Sequence, residues 1–172
     1  LNMSKGFTAV KEKLKDDNGS NIGDTLKKTG MALVSNVGGA SGPLYGTAFM
    51  KAATPVSGKE KVDINDFIKM LEEALAGIKM RGKGELGDKT MIDAIEPALE
   101  ALKSSVADRL SPIEALEKAK SAAFEGVENT KKIIAKKGRA SYLGERSIGH
   151  QDAGATSSYL IFNTIYEEVS KM

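Results

Sequence analysis

The residues best suited to chemistry are gathered in one stretch, KKGRASYLGERSIGHQDAGATS, residues 136–157. It holds Arg139, Tyr142, Glu145, Arg146, Asp152 and the only histidine in the chain, His150, with glycines at 138, 144, 149 and 154 that let the backbone bend. An arginine here could neutralise a phosphate through a bidentate fork. His150 is either an acid–base group near neutral pH or a hydrogen-bonded histidine that fixes the loop. Glu145 and Arg146 are either ligand contacts or an ion pair internal to the loop. Asp152 could also cap a following helix through the amides of residues 154–157.

A second stretch, SNVGGASGPLYG (35–46), reads as one helix ending at glycines and another beginning with Ser41 or Gly42 as its cap and Pro43 in its first turn. Exposed amides at such a start suit a phosphate, whereas the plainer reading is a turn of small residues that permits close packing. It is not a Walker A loop, because no Gly-Lys-Ser/Thr follows at the required spacing. No strand precedes it, which excludes a dinucleotide fingerprint. A third stretch, RGKGELGDKT (81–90), offers Asp88 and Thr90 as an N-cap and its neighbour. Met70, Met80 and Met91 read as core or pocket wall. Lys131, Lys132, Lys136 and Lys137 read as a solvated face near a helix end or a patch for an acidic partner. Asp16 and Asp17 fall in an Asn-Gly turn, and no Asp-x-Asp cluster for magnesium is present.

The elements that must position these residues are helical. Apolar residues recur at spacings of three and four over 22–37, 64–79, 91–102, 112–134 and 155–169, each the signature of one buried face. Asp63 is placed to cap the second of these, and Ser111-Pro112 with Glu114 opens the fourth. Pro97 should kink or shorten the third. About seven helices and no strand are expected, joined mostly by short connections that favour antiparallel neighbours.

A chain of 172 residues fits one domain, 1–172. Its formal charge of +2 is spread with both signs interspersed, which gives no footprint for nucleic acid or an anionic membrane. With no cysteine, thiolate metal sites, thiol nucleophiles and disulfides are excluded. No apolar run approaches the roughly 18 residues of a membrane span, so a cytoplasmic protein is expected. The first residue is Leu1, followed at once by a helical pattern, and the expectation is a chain that begins partway through its protein.

Three strings, KTGMALVSNVGGASGPLYGTAFMKAA, RGKGELGDKTMIDA and KKGRASYLGERSIGHQDAGATS, in this order, resemble the nucleotide-binding L subunit of bacterial dihydroxyacetone kinases and the related C-terminal domain of the ATP-dependent kinases. The resemblance spans essentially the whole chain. It implies an all-α fold, an antiparallel up-and-down barrel of eight amphipathic helices, with the first helix missing from this chain. It implies ADP/ATP as cofactor and two magnesium ions on three aspartates of a motif of which only the tail, Leu1 to Met3, is present. It carries nucleotide contacts onto Asn2, Ala40, Ser41, Gly82, Met91, Arg139, Asp152, Ala153 and Gly154, with Arg139 as the catalytic residue. His150 is not among them, which favours its structural reading.

The activity implied is phosphoryl shuttling. ADP stays bound, a phosphohistidine subunit of the phosphotransferase system (the M subunit) rephosphorylates it, and the ATP formed phosphorylates dihydroxyacetone held on a histidine of the K subunit. Positioning and charge neutralisation suit that chemistry better than a side-chain nucleophile. The alternatives are the C-terminal domain of an ATP-dependent dihydroxyacetone kinase, the related fatty-acid kinase nucleotide domain, which the SYLGERSIGHQD string fits less well, and a non-catalytic ADP-binding regulatory module.

Overall fold

The computed structural model describes all 172 residues and contains seven α-helices, two 3₁₀ segments and no strand. The chain forms two compact units, Leu1–Lys83 and Gly84–Met172. The first holds α1 (Asn2–Lys13), α2 (Ile22–Asn36), α3 (Ser41–Ala53), a 3₁₀ turn (Thr54–Val56) and α4 (Ile64–Gly82). The second holds α5 (Ile92–Ala107), α6 (Pro112–Thr130), a 3₁₀ segment (Arg139–Ser147) and α7 (Ala153–Ser170). No helix is long and apolar enough to cross a membrane.

Capping chemistry sets most of the helix starts. The Asp63 carboxylate accepts the Asp66 N–H at 2.8 Å while Asp66 accepts the Asp63 N–H at 3.1 Å, a reciprocal capping box that opens α4. Ser111 and Glu114 repeat the device at α6, with Pro112 in the first turn. Asn21 caps α2 and also accepts the Gly58 N–H at 2.9 Å, tying the loop after α3 to the start of α2. At the other end of α4, Lys83 takes a left-handed conformation and its N–H bonds back to Lys79 O.

In the first unit α2 packs against α1 and α3, and α3 against α4, around Leu33, Val56 and Ile78. The α2–α3 crossing is close because both helices present glycine. A methyl on Gly30 would meet the Gly46 carbonyl at 2.8 Å, and one on Gly46 would meet Val34 Cγ2 at 2.1 Å. In the second unit α6 packs against both α5 and α7 around Ile92, Leu99, Leu102, Leu116, Val127 and Phe162. Each such large side chain contributes about 1.5–3 kcal/mol by leaving water. Ala94, Ala98, Ala115, Ala119 and Ala123 are wholly buried, so α5 and α6 approach on small residues.

Two expectations change. Pro97 neither ends nor shortens its helix, which runs on to Ala107. It falls in the second turn, where its missing N–H deprives only the Asp93 carbonyl of a helical donor. Gly126 of α6 packs directly on that carbonyl. At α3 the N-cap is Ala40, with no side-chain cap, and Ser41 is the first helical residue rather than the cap.

Candidate functional site

Four expected contacts lie in the first unit, at the end formed by the start of α1, the α2–α3 connection and the close of α4. The connection after Asn36 passes through exposed Gly38 and Gly39, the latter at φ +72, a conformation that favours glycine. It delivers Ala40 and Ser41 to a helix start whose first amides have no capping side chain, which leaves the positive end of α3 available to an anion. Asn2 lies beside this turn: a methyl on Gly38 would stand 3.8 Å from its Nδ2. Gly82, the last residue of α4, packs on Leu44 in the first turn of α3, where a methyl would meet Leu44 Cδ2 at 3.1 Å.

The other five lie in the second unit. Met91 precedes α5 and is buried, and Asp152, Ala153 and Gly154 open α7. The two helix starts touch: a methyl on Gly154 would lie 3.3 Å from the Met91 backbone nitrogen. Asp152 is the cap of α7, its Oδ2 accepting the Ala155 N–H at 2.8 Å, so the capping role is realised. Its backbone N–H in turn donates to Thr130 Oγ1 at 3.0 Å, which anchors α7 to the end of α6. Burial raises the Asp152 pKa above the usual carboxylate value. Hydrogen bonds from the Ala155 and Gly154 amides oppose that rise, the Asp93 charge adds to it, and the Lys89 charge opposes it.

Arg139 opens the 3₁₀ segment, exposed and outside any ion pair. The segment breaks at Gly144, whose φ of 57° and ψ of −131° are not helical. The long stretch is therefore built rather than structureless. Ser147 is buried, its hydroxyl donating to Gly144 O at 2.7 Å and accepting the Ala135 N–H at 3.0 Å. The Gly149 N–H reaches Lys131 O at 2.6 Å and the Lys136 N–H reaches Asp88 O at 3.1 Å.

Several readings of single residues are corrected here. His150 is exposed and its imidazole makes no hydrogen bond within the protein, so it does not fix the loop. Glu145 and Arg146 are both exposed and form no ion pair. Asp88 does not cap α5: its carboxylate accepts the Glu85 N–H at 2.9 Å, inside its own loop. The start of α5 is served instead by Thr90 Oγ1, which accepts the Ile92 N–H at 3.2 Å, and by Asp93, which accepts the Thr90 N–H and the Gly87 N–H at 2.8 Å each. Of the four lysines, Lys131 pairs with Glu128 at 3.0 Å, while Lys136 and Lys137 are exposed.

Sequence reasoning missed Lys89, Asp93, Thr130 and Ser147, all buried polar residues of the second unit. Asp93 had a legible signal, since Thr-x-x-Asp before an apolar run is half of a capping box. No three His, Asp or Glu side chains come together in a way that could hold a metal ion. The residues present thus do not make a magnesium site.

Comparison with known proteins agrees with this helical architecture. The DAK2 domain matches residues 1–167. The chain is 49% identical over 157 residues, 91% of its own length and 75% of the relative's, to the ADP-binding subunit DhaL of PEP-dependent dihydroxyacetone kinase from Escherichia coli. It is 43% identical over 173 residues to ADP-binding subunit DhaL of PEP-dependent dihydroxyacetone kinase 2 from Listeria innocua, covering 99% of this chain and 80% of that one. The Lactococcus lactis subunit DhaL of a PTS-dependent dihydroxyacetone kinase is 38% identical, with 98% and 80% covered. In fold, the chain matches the crystal structure of the dihydroxyacetone kinase of C. freundii with a TM-score of 0.68 at 24% identity, over 96% of this chain and 28% of that one. The chain belongs to the DAK2 domain family, in its DhaL form.

Proposed function

We propose that this protein is the nucleotide-carrying subunit of a phosphoenolpyruvate-dependent dihydroxyacetone kinase, a cytoplasmic phosphotransferase that works only with partner subunits. The observation that carries the reading is that relatives named as ADP-binding DhaL subunits match nearly the whole chain at 38% to 49% identity. In this reading a phosphohistidine subunit of the phosphotransferase system recharges bound ADP, and the K subunit presents dihydroxyacetone. The nucleotide supplies the phosphoryl group that is received and passed on.

The chain's own task is to hold and screen. The uncapped start of α3 offers main-chain amides and the Ser41 hydroxyl to phosphate oxygens, and Asn2 beside it offers a side-chain amide. Arg139, exposed and outside any ion pair, supplies the positive charge that phosphoryl transfer needs at the bridging oxygens. Of the remaining contacts, Gly82 belongs to the first unit, and Met91, Ala153 and Gly154 to the second, where they offer small or apolar surface to the nucleoside and Asp152 accepts a donor from it. Because the residues present build no magnesium site, no step is assigned to the metal.

Two experiments test this. Titration with ADP should show Arg139→Ala binding about 10- to 100-fold more weakly and Ser41→Ala about fivefold, with helicity unchanged, as expected for losing a charge-assisted and a neutral hydrogen bond. Equal retention of ADP by both variants would sink the site assignment. Reconstitution with K and phosphohistidine subunits should couple phosphoenolpyruvate to dihydroxyacetone phosphate formation. A requirement for stoichiometric ATP instead would identify the ATP-dependent kinase type.

A further inference from the structure

Lys89 is the most deeply buried charged side chain of the protein, only 3% exposed, in the loop that leads into α5. A lysine is rarely taken out of water unless its donors are met. Here the ammonium donates to two main-chain carbonyls, Ile133 O at 3.2 Å and Ser147 O at a shorter distance. No buried side-chain nitrogen or oxygen in the structure is left without a partner. Its backbone is held at φ +65, a conformation uncommon for a residue with a side chain, so the main chain is bent to aim it inward.

The two acceptors lie at opposite ends of one excursion of the chain. Ile133 follows the end of α6, and Ser147 closes the 3₁₀ segment, so the ammonium spans the base of residues 134–146. The same base is fastened by the Ala135 N–H to Ser147 Oγ and by the Lys136 N–H to Asp88 O. Beyond the base every residue from 136 to 146 is exposed or half-exposed, and Arg139 sits among them. A loop whose ends are drawn together by few contacts, with a polar tip, owes its conformation to those contacts.

We propose that Lys89 is a positioning residue for the nucleotide, closing the base of the 134–146 loop so that Arg139 is presented in one place. The assignment rests on the reading of Arg139 as a phosphate contact. Lys89 itself touches no ligand in this scheme. Its effect on binding passes entirely through the arginine it positions.

The test uses Lys89→Met, which keeps the stem and removes the donors, together with Arg139→Ala and the double variant. Trypsin reports the loop directly, since the tip carries Lys136, Lys137, Arg139 and Arg146. Lys89→Met should raise the rate of cleavage within 136–146 at least about tenfold, the size expected for losing hydrogen bonds from a charged group, and weaken ADP binding by a similar factor. The double variant should bind ADP no more weakly than Arg139→Ala alone, because a positioning residue has nothing left to position. Additive losses, or a loop no more open to trypsin, overturn the proposal. If Lys89→Met does not fold, Ser147→Ala, which removes the neighbouring fastening, must show the same opening and the same non-additivity, and its failure to do so overturns the proposal equally. Should Arg139→Ala leave ADP binding intact, the nucleotide reading fails, while the cleavage rates still report whether Lys89 closes the loop.

Discussion

Gly126 offers the sharpest test of how the second unit is held together. A methyl built on it would lie 2.0 Å from the Asp93 carbonyl oxygen, 3.0 Å from the Asp93 carbonyl carbon and 3.2 Å from Ala94 Cα. All three are backbone atoms of α5, so no rotamer change relieves the clash. To restore ordinary contact at that oxygen α5 and α6 must separate by about 1.4 Å along a seam of buried alanines packed at native density. Overpacking of this kind costs about 1–3 kcal/mol, and the rigid backbone on the far side places Gly126→Ala at the top of that range. Alanine recovers about 1 kcal/mol through its better helix propensity. The net expectation is a loss of about 2 kcal/mol, or about 4–8 °C in Tm for a chain of this size. Gly77→Ala is the matched control, because a methyl there meets side-chain atoms rather than backbone, Lys51 Cγ at 2.9 Å and Thr47 Cγ2 at 3.0 Å, which can yield by rotamer shifts. Its propensity gain offsets that shift in part, so its loss should be smaller than that of Gly126→Ala. Thermal melts of both variants decide the matter: a Gly126→Ala protein that melts within about 2 °C of the parent, equivalent to under 1 kcal/mol, would refute the reasoning.

Other consequences can be measured on the same protein. Ser111→Ala and Asp63→Ala each break a capping box and should cost about 1 kcal/mol, read from urea midpoints. Asp152 has a folded pKa raised by burial, so the folded state holds that proton more tightly than the unfolded chain does. The resulting stabilisation is complete below the usual carboxylate pKa and is lost as pH rises through the raised value. Asparagine at 152 can still cap the helix but cannot ionise, so Asp152→Asn should gain stability relative to the parent as pH rises from about 4 to 7, and a gain that shrinks over that range contradicts the burial argument. Arg139→Ala should leave all of these stabilities within about 0.5 kcal/mol, as for an exposed side chain without partners, so that its effect on ADP is a binding effect alone.

The helices were legible wherever periodicity and capping chemistry agree. Asp63 before an apolar stripe, and Ser111-Pro112 with Glu114 three residues after the serine, are local devices whose geometry depends on nothing distant, and both are realised. Asp152 was legible for the same reason. Pro97 does not shorten its helix, and the Asp93 carbonyl that its missing N–H leaves bare faces Gly126, which only the fold brings there. A glycine within α6 carries no local sign of its partner; its meaning is the backbone that approaches it.

The proposed contacts and the residues behind them divide along the same line. Arg139 and Ser41 are exposed or half-exposed and could be named from type and neighbourhood, because a ligand site must show its functional groups to solvent, whereas exposed Asn2 is named by the family resemblance alone. Lys89, Ser147 and Thr130 fasten the second unit from within, and in the sequence they are an ordinary lysine, serine and threonine in polar surroundings. Their roles are set by residues 44, 58 and 22 positions away along the chain, in the bonds from Lys89 to Ile133, from Lys89 to Ser147, and from Asp152 to Thr130. A local pattern cannot encode contacts of that separation, yet they determine whether the loop bearing the arginine has one conformation or many. The same physics explains why His150 was misjudged. A lone histidine among glycines looks structural, but it lies exposed outside the fastened base of the loop, and its imidazole makes no hydrogen bond within the protein.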